Sequence, residues 1–180
     1  MRRKHDFYPT PGWATLELLN RIPISGALLE PCVGGGDIAD PLEEHVVHGG
    51  ASRLRTNDLD QRWVADSHDD ATRAAWWQSL GPLDWVITNP PFLVADKILP
   101  LAVEYARHVA MLLRLSYLEP CNGRGAWLAA YPPTDLIVLP RMSFTGDGKT
   151  DSVTCAWMVW REGRSEQTIS IVPRPAEQPA

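Results

Sequence analysis

Several features are missing from this 180-residue chain, and each absence removes a class of protein. No stretch approaches the ~18 consecutive apolar residues of a membrane span; the apolar run from Val109 to Leu113 reads as a strand. The cysteines, Cys32, Cys121 and Cys155, are three in number and lack metal-ligand spacing, which argues against a disulfide framework and a zinc site and leaves reduced core or loop thiols. Positive charge is not in excess. The net charge of -5 denies the chain any general electrostatic attraction to nucleic acid. The basic amino terminus, Met-Arg-Arg-Lys-His-Asp, is followed by no apolar segment and is not a secretory signal, so a cytoplasmic protein is expected. There is no internal repeat, and no stretch is left over for a separate recognition domain.

What is present is a core-forming composition, 44% hydrophobic, at a length suited to one domain. Short apolar runs alternate with helical patterns of about a dozen residues, the signature of βα units around a mostly parallel sheet. Strands are expected near 26–30, 53–57, 62–65, 83–88, 108–115, 135–139 and 153–161. Helices are expected near 11–20, 37–48, 69–79, 94–107 and 122–130. No helix separates the last two strands, which predicts an antiparallel pair at the end of the sheet. In 153–161, Val153, Cys155, Trp157 and Val159 alternate with Thr154, Ala156, Met158 and Trp160, and both sets are largely apolar, as in a central strand covered on both faces. A single domain is expected over 1–172, with a proline-rich, loose tail over 173–180.

The most informative segment is Thr88-Asn89-Pro90-Pro91-Phe92, which closes the apolar run Leu83-Asp84-Trp85-Val86-Ile87. Asn89 puts a carboxamide at the carboxyl end of a buried strand, where open α/β sheets bind ligands. Two prolines fix φ and remove two backbone donors, so the turn offers mainly acceptors, the Asn89 side-chain oxygen and the Pro90 carbonyl, beside the Phe92 ring. Such a cup suits a planar exocyclic amino group. Read alone, the same residues are ordinary turn punctuation.

A second signal, Leu28-Leu29-Glu30-Pro31-Cys32-Val33-Gly34-Gly35-Gly36-Asp37-Ile38-Ala39, runs from a strand through three glycines into a helix. Gly34-x-Gly36-x-x-Ala39 also satisfies a dinucleotide fingerprint. Charge separates the two uses: Glu30 and Asp37 would repel a pyrophosphate and suit a ligand carrying a sulfonium and an ammonium group. Asp58, at the end of the next strand, can accept both hydroxyls of a ribose, with Asp60 as the competing candidate.

Together these segments resemble motifs I and IV of S-adenosylmethionine-dependent amino methyltransferases, particularly the adenine-N6 branch that acts on DNA. The resemblance implies a Rossmann-like class I methyltransferase fold, a mostly parallel seven-stranded sheet with a terminal antiparallel hairpin and helices on both faces. It implies S-adenosyl-L-methionine as cofactor, held by Tyr8, Thr10 and Pro11 of Phe7-Tyr8-Pro9-Thr10-Pro11, by Glu30, Cys32, Gly34, Gly36, Asp58 and Asp66, and by Asn89. Asp66, with Asp69 and Asp70 close behind, takes the place of the family's acceptor for the cofactor adenine. Thr10 and Pro11 could equally start the first helix. The catalytic residues implied are Asn89, Pro90 and Phe92, with Phe92 stacking on the target base. Arg141-Met142-Ser143-Phe144 and the residues to Lys149 resemble motif VIII, where Phe144 would pack on the base while Arg141 and Lys149 meet phosphates. Further basic groups, Arg2, Arg3, Lys4, Arg114 and Arg124, fall near loops that would ring the site. The partner implied is nucleic acid, DNA ahead of RNA, in the manner of compact phage or prophage enzymes. RNA adenine methylation, protein glutamine methylation and an inactive cofactor-binding subunit remain as alternatives.

Overall fold

The structure, a computed structural model, describes residues 9–142 and 153–174. The chain alternates helix and strand: α1 (Gly12–Leu19), β1 (Ala27–Glu30), α2 (Ala39–Val47), β2 (Arg53–Thr56), α3 (Ala74–Ser79), β3 (Leu83–Thr88), α4 (Ala95–Tyr105), β4 (Ala106–Arg114), a 3-10 turn (Leu115–Leu118), α5 (Asn122–Ala130), β5 (Asp135–Val138), β6 (Cys155–Arg161) and β7 (Thr168–Ile171). The strands form one seven-stranded sheet in the order β2-β1-β3-β4-β6-β5-β7. Only β6 runs against the others, pairing antiparallel with both β4 and β5.

Two apolar layers explain the order. Leu28, Trp85, Ile87, Leu112, Trp157 and Val159 point toward α1 and α2. Leu29, Val86, Met111, Leu113, Met158 and Trp160 point toward α3, α4 and the Leu128 face of α5. Alternate residues of β6 therefore feed opposite layers, and Cys155 through Trp160 are all buried, as the two-sided pattern requires. Burying a large apolar side chain contributes ~1.5–3 kcal/mol, and the polar corners of these rings are satisfied: the Trp157 indole donates to the Ala14 carbonyl at 2.7 Å and that of Trp160 to Tyr131 at 2.9 Å.

Three sequence expectations are corrected. No strand forms near 62–65. Trp63-Val64-Ala65 is too short to outcompete the flanking aspartates, whose carboxylates capture local amides: Asp58 accepts from the Asp60 N–H, Asp60 from Arg62 and Asp70 from Thr72. Val64 is left 95% exposed, and only a single bridge, Asn57 to Ser67, continues the sheet. The same Asp70 chemistry delays the helix expected over 69–79 to Ala74. The seventh strand is instead β7, in a stretch to which no strand was assigned. It pairs parallel with β5 beyond the antiparallel β5–β6 pair, so that pair does not end the sheet. Its anchor is Asp135, which accepts from the Arg161 guanidinium at 2.8 and 2.9 Å and from the Thr168 and Thr134 hydroxyls.

Candidate functional site

Because β1, β2 and β3 run parallel, Glu30, Thr56 and Thr88 end on the same side of the sheet, and the segments that follow them converge. After β1 the chain must reverse into α2 within a few residues. Gly34 and Gly36 take positive φ, 52° and 91°, and a Cβ on Gly36 would sit 3.1 Å from the Asp40 carboxylate, so glycine is required there on two counts. The Gly34 N–H donates to Asp58 at 2.8 Å, which ties the loop to the end of β2.

Beneath the loop lies Glu30, 1% exposed, with its Oε2 lacking a hydrogen-bond partner among the described residues. Burial pushes its carboxyl well above the usual range, and Asp37, Asp58 and Asp40 push it the same way. Burial also raises Asp37, against a hydrogen bond from the Thr10 backbone. The Cys32 thiol is raised by burial and by Asp58 and Glu30, which keeps it neutral. The site is thus a desolvated acidic pocket around Glu30.

The amino-terminal segment closes it. Thr10 is 3% exposed and does not cap α1; the cap position belongs to Pro11 and carries no side-chain bond. Its hydroxyl instead accepts from the Asn89 amide nitrogen at 3.0 Å, across 79 positions of sequence. One residue therefore touches both loops, Asp37 through its backbone and Asn89 through its side chain.

Asn89 is half-buried and Pro90 buried at the tip of β3. The amides of Val94 and Ala95 both donate to the Pro91 carbonyl, so the start of α4 engages Pro91 and not Pro90. The Arg114 guanidinium lies 4.5 Å from the centre of the Phe92 ring, a cation–π contact from the end of β4.

Beside the glycine loop is a cavity of about 260 Å³ that includes Cys32, Asp58, Asp69, Asp70, Lys97 and Ile98 in its lining. Asp66 is not among its walls. That carboxylate is exposed and accepts from the Thr56 backbone N–H and hydroxyl, so the structure places Asp69 and Asp70, rather than Asp66, where a ligand in the cavity would meet an acid. Asp60 is held in an ion pair with Arg62 at 2.5 Å. Arg141 lines a different cavity, with Arg174, near the ends of β5 and β7. Tyr8, Phe144 and Lys149 lie outside the described residues.

Asn57 was not recognised from sequence. Fully buried, it donates to the Pro31 and Asp69 carbonyls and accepts from the Ser67 hydroxyl and Asp69 N–H, all within 3.0 Å, while its backbone bonds Glu30 and Val33. It joins the glycine loop to the aspartate-rich loop. The only sequence signal was its place just before Asp58 at a strand end.

No protein-family model matches the chain, and no curated protein matches it in sequence. Solved structures do match in fold. The modification subunit of a putative type I restriction enzyme from Vibrio vulnificus aligns over 96% of this chain and 48% of its own, with a TM-score of 0.69 and 14% identity. The modification protein of the type I restriction enzyme EcoKI aligns over 92% of this chain and 48% of its own, at 0.64 and 14%. A putative RNA methyltransferase from Pyrococcus horikoshii aligns over 88% of this chain and 87% of its own, at 0.65 and 17%. The chain spans about half the length of the two modification proteins. What is shared at these identities is the Rossmann-like class I methyltransferase fold.

Proposed function

We propose that the chain transfers a methyl group from S-adenosyl-L-methionine to the N6 amino group of adenine in DNA, acting as a single domain over 1–172. The observation that carries this reading is the meeting of two unlike loops at one sheet edge. A buried acidic pocket at Glu30 lies against a donor-poor Asn-Pro-Pro-Phe turn, and Thr10 links them.

The residues present fit the cofactor. Glu30, Asp37 and Asp40 supply negative charge for its sulfonium and ammonium groups, and Gly34 and Gly36 allow close backbone approach. Asp58 would accept from its ribose hydroxyls, and Cys32, Asp69 and Asp70, which line the neighbouring cavity, would hold its adenine. When bound, the cofactor supplies an electrophilic methyl group.

The remaining chemistry belongs to the chain. An adenine amino group is a poor nucleophile because its lone pair is delocalised into the ring. The Asn89 side-chain oxygen and the Pro90 carbonyl accept its two hydrogens and favour a pyramidal nitrogen with its lone pair free to attack in line. These contacts strengthen as positive charge develops on nitrogen, which is stabilisation of the transition state over the ground state. Thr10 accepts from the Asn89 nitrogen and so turns the amide oxygen outward. The proton leaves after attack, and no covalent enzyme intermediate is formed. Phe92 stacks on the target base, which must leave a duplex to reach it, and Arg114 on the Phe92 ring places a cation beside the adjoining phosphate.

Methylation of RNA adenine is the second reading, favoured by the fold match to a putative RNA methyltransferase over nearly all of that chain. Incubation with labelled cofactor and either unmethylated DNA or structured RNA decides between them. Label should enter DNA and be lost in Asn89→Ala; label in RNA alone establishes the second reading, and label in neither refutes both.

A further inference from the structure

Next to the catalytic turn, on the α4–α5 side, is a cavity of about 400 Å³ that the reaction above leaves unused. Its size falls in the range of small-ligand pockets, ~300–1,000 Å³. Its walls include Asp96, Pro100, Tyr117, Cys121, Arg124 and Trp127. The Arg124 guanidinium lies 4.6 Å from the centre of the Tyr117 ring, and its side chain is only 19% exposed. Its polar partners are Asp96 at 3.6 Å and the Glu119 carbonyl at 3.5 Å, both long, and the Cys121 sulfur at 2.7 Å. The Nε has no partner among the described residues. The guanidinium is thus mostly withdrawn from solvent with one donor unused, an arrangement that a ligand acceptor would stabilise.

The acceptor side is equally prepared. Asp96 receives the Tyr117 hydroxyl, and this bond raises the Tyr117 pKa along with burial. Pro100, inside α4, has no N–H to give the Asp96 carbonyl one turn earlier. A planar stacking surface, an unused guanidinium donor and acceptors at Asp96 therefore face one cavity, which is the complement of a nucleobase edge carrying an acceptor beside an amino or imino donor.

The location fits the same occupant. Asp96 follows Phe92 by four residues on the helix that the catalytic turn begins, and Tyr117 follows Arg114, the residue stacked on Phe92, by three. Phe92, Tyr117 and Trp127 belong to one apolar layer. Two arginine–aromatic stacks, Arg114 on Phe92 and Arg124 on Tyr117, thus belong to the layer that holds both the turn and a wall of the cavity. With a net charge of -5, the chain has no general attraction for phosphate beyond a few local arginines and lysines, and base stacking adds affinity to theirs.

We propose that this cavity receives the nucleobase adjoining the methylated adenine, stacked against the Tyr117–Arg124 pair and read by Arg124 and Asp96. The assignment rests on the methyltransferase reading and adds to it a determinant of sequence context. It is tested with a substrate oligonucleotide defined by mapping methylation in DNA from cells expressing the protein, remade with an abasic residue at each position flanking the target in turn. In the wild type, one flanking position should lower kcat/KM by about 10–100-fold when abasic, the range given by loss of one stacked base. Arg124→Ala, and Arg124→Lys as a variant that keeps the charge and the fold, should lower kcat/KM on the intact substrate by a similar factor and be indifferent to the abasic residue at that position. Both should bind cofactor as the wild type does. If the variants methylate yet keep the full wild-type penalty at every flanking position, the cavity assignment is wrong and the methyltransferase reading stands. If the wild type methylates neither DNA nor RNA, the reading falls and the assignment falls with it.

Discussion

Replacing Glu30 with glutamine should make the protein more stable and the cofactor bind worse, and the first effect should depend on pH. Glu30 is a buried carboxyl whose pKa burial and three neighbouring aspartates raise well above the usual range. A raised folded-state pKa means that its contribution to stability is fully present below the unfolded value, near 4.3, and is lost as pH climbs through the folded value. The loss has a ceiling: at pH 7 it cannot exceed about 3.7 kcal/mol, which is 1.36 kcal/mol per unit over the ~2.7 units from 4.3 to 7. Glutamine does not titrate, so it escapes this loss. Its buried NH2 costs ~1 kcal/mol or more if unpaired, so the net gain at pH 7 is at most about 2.7 kcal/mol. For a chain of this size that is at most about 10 °C in Tm. Thermal melts of both proteins without cofactor, from pH 4 to 8, should show the Tm difference growing with pH. Calorimetric titration with S-adenosylmethionine should show binding weakened about 10–100-fold in Glu30→Gln. Wild-type binding should release protons at neutral pH, seen as a dependence of the heat on buffer ionisation enthalpy, because a bound cation favours the carboxylate. A Tm difference that is flat with pH, or cofactor affinity unchanged by the substitution, would refute the placement of a cation against Glu30.

Thr10→Val keeps the shape and the backbone contact to Asp37 but removes the acceptor for Asn89; kcat should fall about 5–30-fold, corresponding to ~1–2 kcal/mol, while cofactor affinity changes by less than about threefold. Equal losses in both would reduce Thr10 to a packing residue. At the other edge of the sheet, Asp135→Asn should cost about 2–4 kcal/mol in urea melts at pH 7, since Arg161 loses its carboxylate in a largely desolvated site. Burial works to raise the Asp135 carboxyl, but hydrogen bonds from Arg161, Thr168 and Thr134 outweigh it and hold the pKa below the usual range. The wild-type advantage is therefore present above the unfolded pKa of ~3.9 and should shrink as pH falls below it; an advantage that persists undiminished at pH 3 contradicts this account.

Elements with strong periodicity were legible in the sequence, and elements decided by side-chain competition were not. The two-sided pattern of 153–161 identified a central strand, and β6 lies between β4 and β5. Asn89 was placed at a strand end by the apolar run before it, and it lies there. Trp63-Val64-Ala65 misled because apolar residues say nothing about the aspartates that hold their backbone in turns. Thr168 to Ile171 was passed over because four residues, two of them exposed isoleucines, show no buried face until Asp135 draws Thr168 onto the sheet. At the site, glycines, acids and the Asn-Pro-Pro-Phe turn carry their chemistry in their identity. Asn57 does not, because its value lies in four partners that only folding brings within reach.

The Thr10 link has a thermodynamic side. A residue bonded at once to Asp37 and to Asn89 makes the two substrate sites of the proposed reaction share a component, so neither can be ordered without bearing on the other. Linkage then demands symmetry: whatever factor the methyl donor contributes to the affinity for the acceptor base, the acceptor base returns to the donor. A single hydroxyl held between the two loops would in this way impose an ordered encounter on the two ligands.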